Sequence, residues 1–165
     1  MIILGLGSNQ GDRAQHLQRA VKALKEEVLS SVYCSPVYES PALMPQGAPQ
    51  EWNTPFLNMA LCGQTSLTPR AVLEKLKEIE QALGRKPRGR WGPREIDIDI
   101  LAYDDRIIDE VDLMIPHGEL LKRDFALIPL ADVAPEWVYP GLGKTARALA
   151  ATLTSILTKT NLAIA

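Results

Sequence analysis

Arg88-Gly89-Arg90-Trp91-Gly92-Pro93-Arg94-Glu95-Ile96-Asp97-Ile98-Asp99-Ile100-Leu101 is the stretch on which the reading of this chain turns. Its second half alternates at period two, so a strand sends Ile96, Ile98 and Ile100 to one face and Asp97 and Asp99 to the other. Residues two apart on a strand lie roughly 6.5–7 Å apart, near enough for both carboxylates to serve one pair of cations. Asp is a poor strand former and like charges on one face repel, so the arrangement calls for compensation. Just upstream, Arg85, Lys86, Arg88, Arg90 and Arg94 occupy a segment broken by Gly84, Pro87, Gly89, Gly92 and Pro93. A cationic loop feeding paired carboxylates suits an anion that arrives with its own metal, such as Mg-polyphosphate: oxygen ligands hold Mg²⁺ and guanidinium forks hold phosphate oxygens. On periodicity alone, a solvated edge strand after a charged loop stands equally well.

The chain has 165 residues, 46% hydrophobic and 23% charged, which fits one domain spanning 1–165 with a sizeable core. A net charge of −2 argues against general nucleic-acid binding, so the basic cluster is a local feature. Cys34 and Cys62 form no CxxC pair, and with His16 and His117 as the only histidines no zinc set is legible. No basic segment followed by a long apolar run opens the chain and no segment approaches a membrane span, so a cytoplasmic protein in a reducing compartment is expected.

Outward from the central stretch, Met1–Leu6 reads as a strand, and Gly5-x-Gly7 with Ser8-Asn9 as turn geometry; Gln10 stands where a dinucleotide fingerprint needs a third glycine. Asp12 and Gln15 form a capping-box pattern ahead of a helix through Leu17, Ala20, Val21, Leu24 and Val28. A second strand is expected over Ser31–Glu39 with a kink at Pro36, then a Pro-rich loop over 40–55. Phe56–Gly63 reads as a third strand, with Leu57, Met59 and Leu61 on one side; Phe56, Asn58 and Ala60 on the other suit a flat heteroaromatic ligand. Thr68-Pro69 starts an amphipathic helix that Gly84 ends, with Glu78 and Glu80 as surface charges. Tyr103–Arg106 reads as a hairpin turn and Val111–Ile115 as a short strand. A helical turn around Lys122, Arg123 and Phe125 runs into Ala126–Ala131, and a last helix runs through Leu149, Leu153 and Ile156.

Taken together, Gly7-Ser8-Asn9, Pro41 with Pro45-Gln46, Phe56-Leu57-Asn58, Leu83-Gly84-Arg85, Arg90-Trp91-Gly92-Pro93-Arg94-x-Ile96-Asp97-Ile98-Asp99-Ile100, Pro116-His117, Arg123-x-Phe125 and Pro129-Leu130 resemble the 6-hydroxymethyl-7,8-dihydropterin pyrophosphokinase family, over roughly residues 3 to 140. The resemblance implies an α+β fold: a ferredoxin-like βαββαβ core with a mainly antiparallel sheet, extra strands and C-terminal helices. It implies an enzyme, a diphosphokinase that moves pyrophosphate from ATP to the hydroxymethyl group of the pterin in folate biosynthesis, giving AMP. Asp97 and Asp99 then look like ligands of a pair of Mg²⁺ ions brought with ATP. Arg85 and Arg94 resemble the arginines that stabilise the transferring group. Arg90, Trp91, Ile100, His117 and Arg123 fall to phosphates or nucleotide. The pterin falls to Asn58, to Phe56 and Phe125 across its ring, and to the backbone near Ser40, Pro41 and Leu43. The partners implied are ATP and the pterin, with no nucleic acid and no membrane, and the chain is expected to be a monomer. Gly118, Asp112 and Met114 depart from residues other members carry, which bears on the adenosine side.

Other classes carry their own signatures. A ferredoxin-like RNA-binding module should show an aromatic strand motif, and the chain has only two Phe. A non-catalytic ligand-binding domain leaves the Asp97/Asp99 pair without purpose. The loops 40–55 and 84–95 are expected to act as lids, the second held open in the free protein by mutual repulsion of Arg85, Lys86, Arg88 and Arg90.

Overall fold

The computed structural model describes residues 1–89 and 92–165. Its elements in order are β1 (Ile2–Ser8), α1 (Arg13–Glu27), β2 (Ser30–Cys34), β3 (Tyr38–Ser40), β4 (Phe56–Gln64), α2 (Pro69–Ala82), β5 (Asp97–Tyr103), β6 (Ile108–Glu110), β7 (Leu113–Ile115), α3 (Asp124–Val133), α4 (Ala146–Ala151) and β8 (Thr158–Lys159). The main sheet runs β5-β1-β4-β3-β8 with β2 also on β4, and its pairs are antiparallel. With β2 and β3 counted as one interrupted strand, this is βαββαβ in the spatial order fourth, first, third, second. The expected α+β, ferredoxin-like class is therefore the observed one.

Both helices of the core begin on side-chain caps. Asp12 accepts from the Gln15 N–H and Thr68 from the Ala71 N–H, with Pro69 at the first helical position. Their apolar stripes (Leu17, Val21 and Leu24; Val72, Leu76 and Ile79) pack on Leu4, Leu6, Met59, Ile98 and Ile100. The opposite face is covered only in part. There α3 and α4 bring Leu127, Leu130 and Leu149 onto Ile3, Cys62, Leu101 and Ala102, at one end of the strands. The other end of that face carries Gly5, Gly7, Asn58, Asp97 and Asp99 and is left open. An irregularity where Ile3 pairs Ala102 but Leu4 pairs Ile100 inserts Leu101 as the extra residue, so that Ala102 joins Leu101 on the face that also carries the aspartates while Tyr103 turns to the helix side.

Three expectations change. Pro36 does more than kink its strand: it separates β2 from β3, and Ser35 Oγ accepts the Ala60 N–H at 2.8 Å where the ladder is interrupted. Tyr103–Arg106 is a turn, with Asp104 at φ 49°, but it does not join a hairpin, because β6 pairs with β7 in a separate two-stranded sheet. The last helix ends at Ala151 rather than passing through Ile156, which is 68% exposed. Its terminus is tied off by Thr152 Oγ1 donating to the Leu149 carbonyl, while Asp124 Oδ2 accepts from Ser155 Oγ and the Ile156 N–H. The chain then extends to add β8 beside β3.

Candidate active site

The open end of the sheet has a bare floor. In register, Gly5 lies beside Asp99 and Gly7 beside Asp97 on one flank, with Ala60 and Asn58 on the other. A Cβ at Gly7 would stand 3.5 Å from both Asn58 Oδ1 and the Phe56 ring, and one at Gly5 would stand 3.1 Å from Leu101. These glycines are strand residues, not the expected turn; only Gly11 in this region has a left-handed φ, 68°. What they supply is an unobstructed strip between two carboxylates and an amide.

Over this floor lies a cavity of about 350 Å³. Ser40, Pro41, Leu43, Phe56, Asn58 and Phe125 line it together with Arg94, Asp97, Asp99, His117 and Arg123, so residues from five separate stretches of sequence meet in one chamber. Asn58, 4% exposed, donates from Nδ2 to Ser40 Oγ at 2.8 Å. Phe56 enters from the start of β4 and Phe125 from the first turn of α3, with the Arg123 guanidinium 5.6 Å from the Phe125 ring centre. Ile100 is 5% exposed and packs among the core residues on the helix side, so its side chain does not reach the cavity. Arg90 and Trp91 lie outside the described residues.

Asp97 is the electrostatic hub. Arg85 Nη1 lies 3.0 Å from its Oδ1 and Arg94 Nη1 3.4 Å from its Oδ2. Arg85 also pairs with Glu80 at 2.5 Å, and Glu80 Oε2 accepts the Ile98 N–H at 2.9 Å. Glu80 is thus no surface charge. It is 8% exposed, and burial first, then Asp97, push its pKa up against the pull of the Ile98 N–H and Arg85. Arg85 reaches the chamber through Asp97 and otherwise lines a neighbouring hollow beneath the basic loop, whose lining also includes Arg94, Lys77 and Lys86.

Asp99 faces His117, with Nε2 to Oδ2 at 3.9 Å. Removal from bulk water, then the charges of Asp97 and Glu80, push the Asp99 pKa up to about 8 against Arg123 and Arg94. Burial, then Arg123, lower that of His117. Its Nδ1 accepts the Glu119 N–H at 3.1 Å, which leaves the proton of the neutral ring on Nε2, directed at anions in the chamber. Glu119, which also lines the chamber, carried no signal in the sequence, whereas Gly5-x-Gly7 was legible but read as a turn.

Where the sequence suggested mutual repulsion of Arg85, Lys86, Arg88 and Arg90, the described part of the basic loop has Arg85 and Arg88 paired with carboxylates. The Glu95 carboxylate accepts both Arg88 Nη1 (2.8 Å) and Nη2 (2.7 Å), together with the Lys86 N–H (3.1 Å), and Arg88 Nη1 also donates to the Pro93 carbonyl at 3.2 Å. These contacts, Arg88 foremost, lower the Glu95 pKa to about 2. The stability from this clasp is therefore complete above the ordinary Glu pKa near 4.5 and is lost as pH falls towards 2. Hydrogen bonds to charged groups contribute about 1.5–3 kcal/mol, so Glu95→Gln is expected to speed tryptic cleavage after Arg88 by about tenfold or more. Equal cleavage rates in the two proteins would show that the clasp does not restrain the loop.

Asp97 and Asp99 form a hard-oxygen donor pair on an open floor, and the raised pKa of Asp99 marks negative charge that a cation would relieve. Among the described residues no three His, Cys, Asp or Glu side chains form a self-sufficient metal cage. That set fits Mg²⁺, which takes one or two carboxylates and leaves its other positions to water and substrate phosphates.

The family model described as 7,8-dihydro-6-hydroxymethylpterin-pyrophosphokinase (HPPK) matches residues 3–135. The Aquifex aeolicus protein named 2-amino-4-hydroxy-6-hydroxymethyldihydropteridine pyrophosphokinase is 46% identical over 139 residues, covering 84% of this chain and 83% of that one. Its namesake from Methylorubrum extorquens is 44% identical over 140 residues, covering 84% and 85%. The Chlamydia trachomatis folate synthesis bifunctional protein is 38% identical over 136 residues, covering 81% of this chain and only 30% of that protein. The crystal structure of wild-type Plasmodium falciparum HPPK-DHPS shares the fold with a TM-score of 0.67 at 18% identity, covering 91% of this chain and 44% of that one. The strand pair of aspartates, the aromatic-lined amide and these matches agree, and the chain belongs to the 7,8-dihydro-6-hydroxymethylpterin-pyrophosphokinase family.

Proposed function

We propose that this chain transfers pyrophosphate from ATP to the hydroxymethyl group of 6-hydroxymethyl-7,8-dihydropterin in folate biosynthesis, releasing AMP. The observation that carries the reading is the glycine strip of β1, flanked by Asp97 and Asp99 on one side and Asn58 on the other: it supports an aromatic ring and a metal-bound polyphosphate in one chamber. Phe56 and Phe125 hold the ring, and Asn58 pairs its polar edge. Asp97 and Asp99 hold Mg²⁺, a pair of ions with ATP, whose chemistry is to neutralise phosphate charge. Arg94, Arg85, Arg123 and the Nε2–H of His117 bind phosphate oxygens and keep the acceptor hydroxyl in line with the β-phosphorus. Transfer of this kind needs positioning and charge neutralisation more than a nucleophilic side chain. We further take the chain to act as a monomeric single domain, 1–165, in the cytoplasm; no helix among the described residues is long and apolar enough to cross a membrane.

The direct test is AMP formation from ATP plus hydroxymethyldihydropterin, abolished by EDTA; no AMP under saturating Mg-ATP and pterin would reject the reading. A finer test separates the two subsites. Asn58→Ala should weaken pterin binding through roughly 1–3 kcal/mol of unpaired polar edge, and Phe125→Ala through about 0.5–1.5 kcal/mol of lost stacking beyond area. Calorimetry should find Mg-ATP affinity within a few-fold of wild type in both; an equal loss there would mean the subsites are interchanged.

A further inference from the structure

Asn9 plays no part in the chemistry proposed above, yet it is 3% exposed and fully engaged. Its backbone N–H donates to the Arg94 carbonyl at 3.2 Å, its Oδ1 accepts the Arg94 N–H at 2.8 Å, and its Nδ2 donates to the Thr54 carbonyl at 3.2 Å. Arg94 closes the basic loop, lines the chamber and contacts Asp97. Thr54 closes the Pro-rich loop two residues ahead of Phe56. One buried amide at the end of β1 therefore joins the phosphate side of the chamber to the pterin side. Only a side chain with an acceptor and a donor on one carbon can bridge an N–H and a C=O in this way.

The neighbouring Pro55 carbonyl is held separately, by Arg13 Nη1 at 3.0 Å, and Arg13 also pairs with Glu39. Among the described residues, the Pro-rich segment is thus joined to Arg94 through Asn9, and separately to Glu39 through Arg13.

We propose that Asn9 is a positioning residue that couples the two substrates: ordering of Arg94 by the nucleotide's phosphates is passed through the Asn9 amide to Thr54 and sets Phe56 for the pterin, and the reverse. The coupling rests on the two-subsite reading above. It is a difference in binding free energy and must be reciprocal, and the Asn9 bridge is its physical carrier rather than mere proximity.

Calorimetry decides it, using 6-hydroxymethylpterin as the ligand, with and without a saturating Mg-ATP analogue whose α–β bridge is a methylene. Wild type should bind the pterin about tenfold more tightly or better with the nucleotide present, and pterin should tighten the nucleotide by the same factor. Asn9→Asp keeps the acceptor for the Arg94 N–H and removes the donor to Thr54; the ratio should fall below about threefold, with affinity for the nucleotide alone little changed. Arg13→Gln cuts the separate tie and should leave the ratio intact. A wild-type ratio near one, or an Asn9→Asp protein that loses both affinities with the ratio unchanged, overturns the proposal. Should Asn9→Asp fail to fold, hydrogen exchange at the wild-type Arg94 amide decides instead: pterin alone should slow it several-fold, and no change overturns the coupling. Both readouts are independent of AMP formation, so failure of the proposed reaction and failure of the coupling give different results.

Discussion

Asp99→Asn is expected to lower turnover on the order of 10³-fold or more while leaving a protein that melts at the same temperature or higher. The side chain lines the chamber, with His117 3.9 Å away, so the cost falls on Mg²⁺ and phosphate rather than on the apolar core. The stability effect has a defined pH dependence. The Asp99 pKa is about 8 in the fold against an ordinary 3.8, so its ionisation destabilises the native state increasingly from about pH 4 upward, fully above about pH 8. Asn removes that penalty. Because the side chain is 41% exposed, the gain is screened to about 1 kcal/mol. Thermal melts across pH should show the variant matching wild type near pH 4 and exceeding it at pH 8–9, with Mg²⁺ plus nucleotide narrowing the gap. Near-normal turnover in Asp99→Asn would reject the metal assignment. Asp97→Asn should lose turnover equally but gain no stability, because Asp97 neutralises Arg85 and Arg94.

Arg94→Ala should cost about 10²–10³ in kcat, the usual effect of deleting one preorganised donor to developing charge, with a smaller change in KM for either substrate. Arg94 is placed for this by backbone contacts on both its N–H and its C=O, while its guanidinium extends to Asp97 at 3.4 Å. Removal of the side chain leaves the Asn9 bridge in place, so the loop should keep its path. Arg94→Lys should recover only part of the loss, since an ammonium retains the charge but not the planar fork. A kcat unchanged by Arg94→Ala would take this residue out of the chemistry. Arg85→Ala should differ in kind: it strips the partner from buried Glu80, so lower stability should accompany lower turnover.

The two loops carry a revised expectation. Closure over the chamber remains a proposal, but the free state of the basic loop is a clasp of Glu95 on Arg88, not a fan of mutually repelling arginines. Bound triphosphate would then compete with internal carboxylates for Arg85, and with Glu95 for Arg88. Ligand protection against trypsin should accordingly be clearest in Glu95→Gln, where the internal competitor is absent.

Periodicity was sufficient to set which residues face which side. The alternation over 96–100, the apolar spacing of α1 and α2 and the caps at Asp12 and Thr68 are local, and local sterics with burial determine them. The specific run from Arg90 to Ile100 carried the family. Other features depended on residues far apart in the chain. Glu80 is adjacent to an amphipathic stripe and looks like any helical surface charge until β5 brings Asp97 and the Ile98 N–H against it and Arg85 folds back from the end of α2. Gly5 and Gly7 resemble a turn until antiparallel pairing on both sides makes β1 the central strand and sets Asp97 and Asn58 across it. Glu95 and Arg88 are both charged loop residues whose pairing requires the chain to double back. Asn9 gains its meaning only when Thr54 and Arg94, 45 and 85 residues onward, arrive at its two amide atoms. Some of these contacts span 18 to 85 residues and others, Glu80 with Arg85 and Arg88 with Glu95, only five and seven; none leaves a periodic trace, and only the tertiary structure decides them.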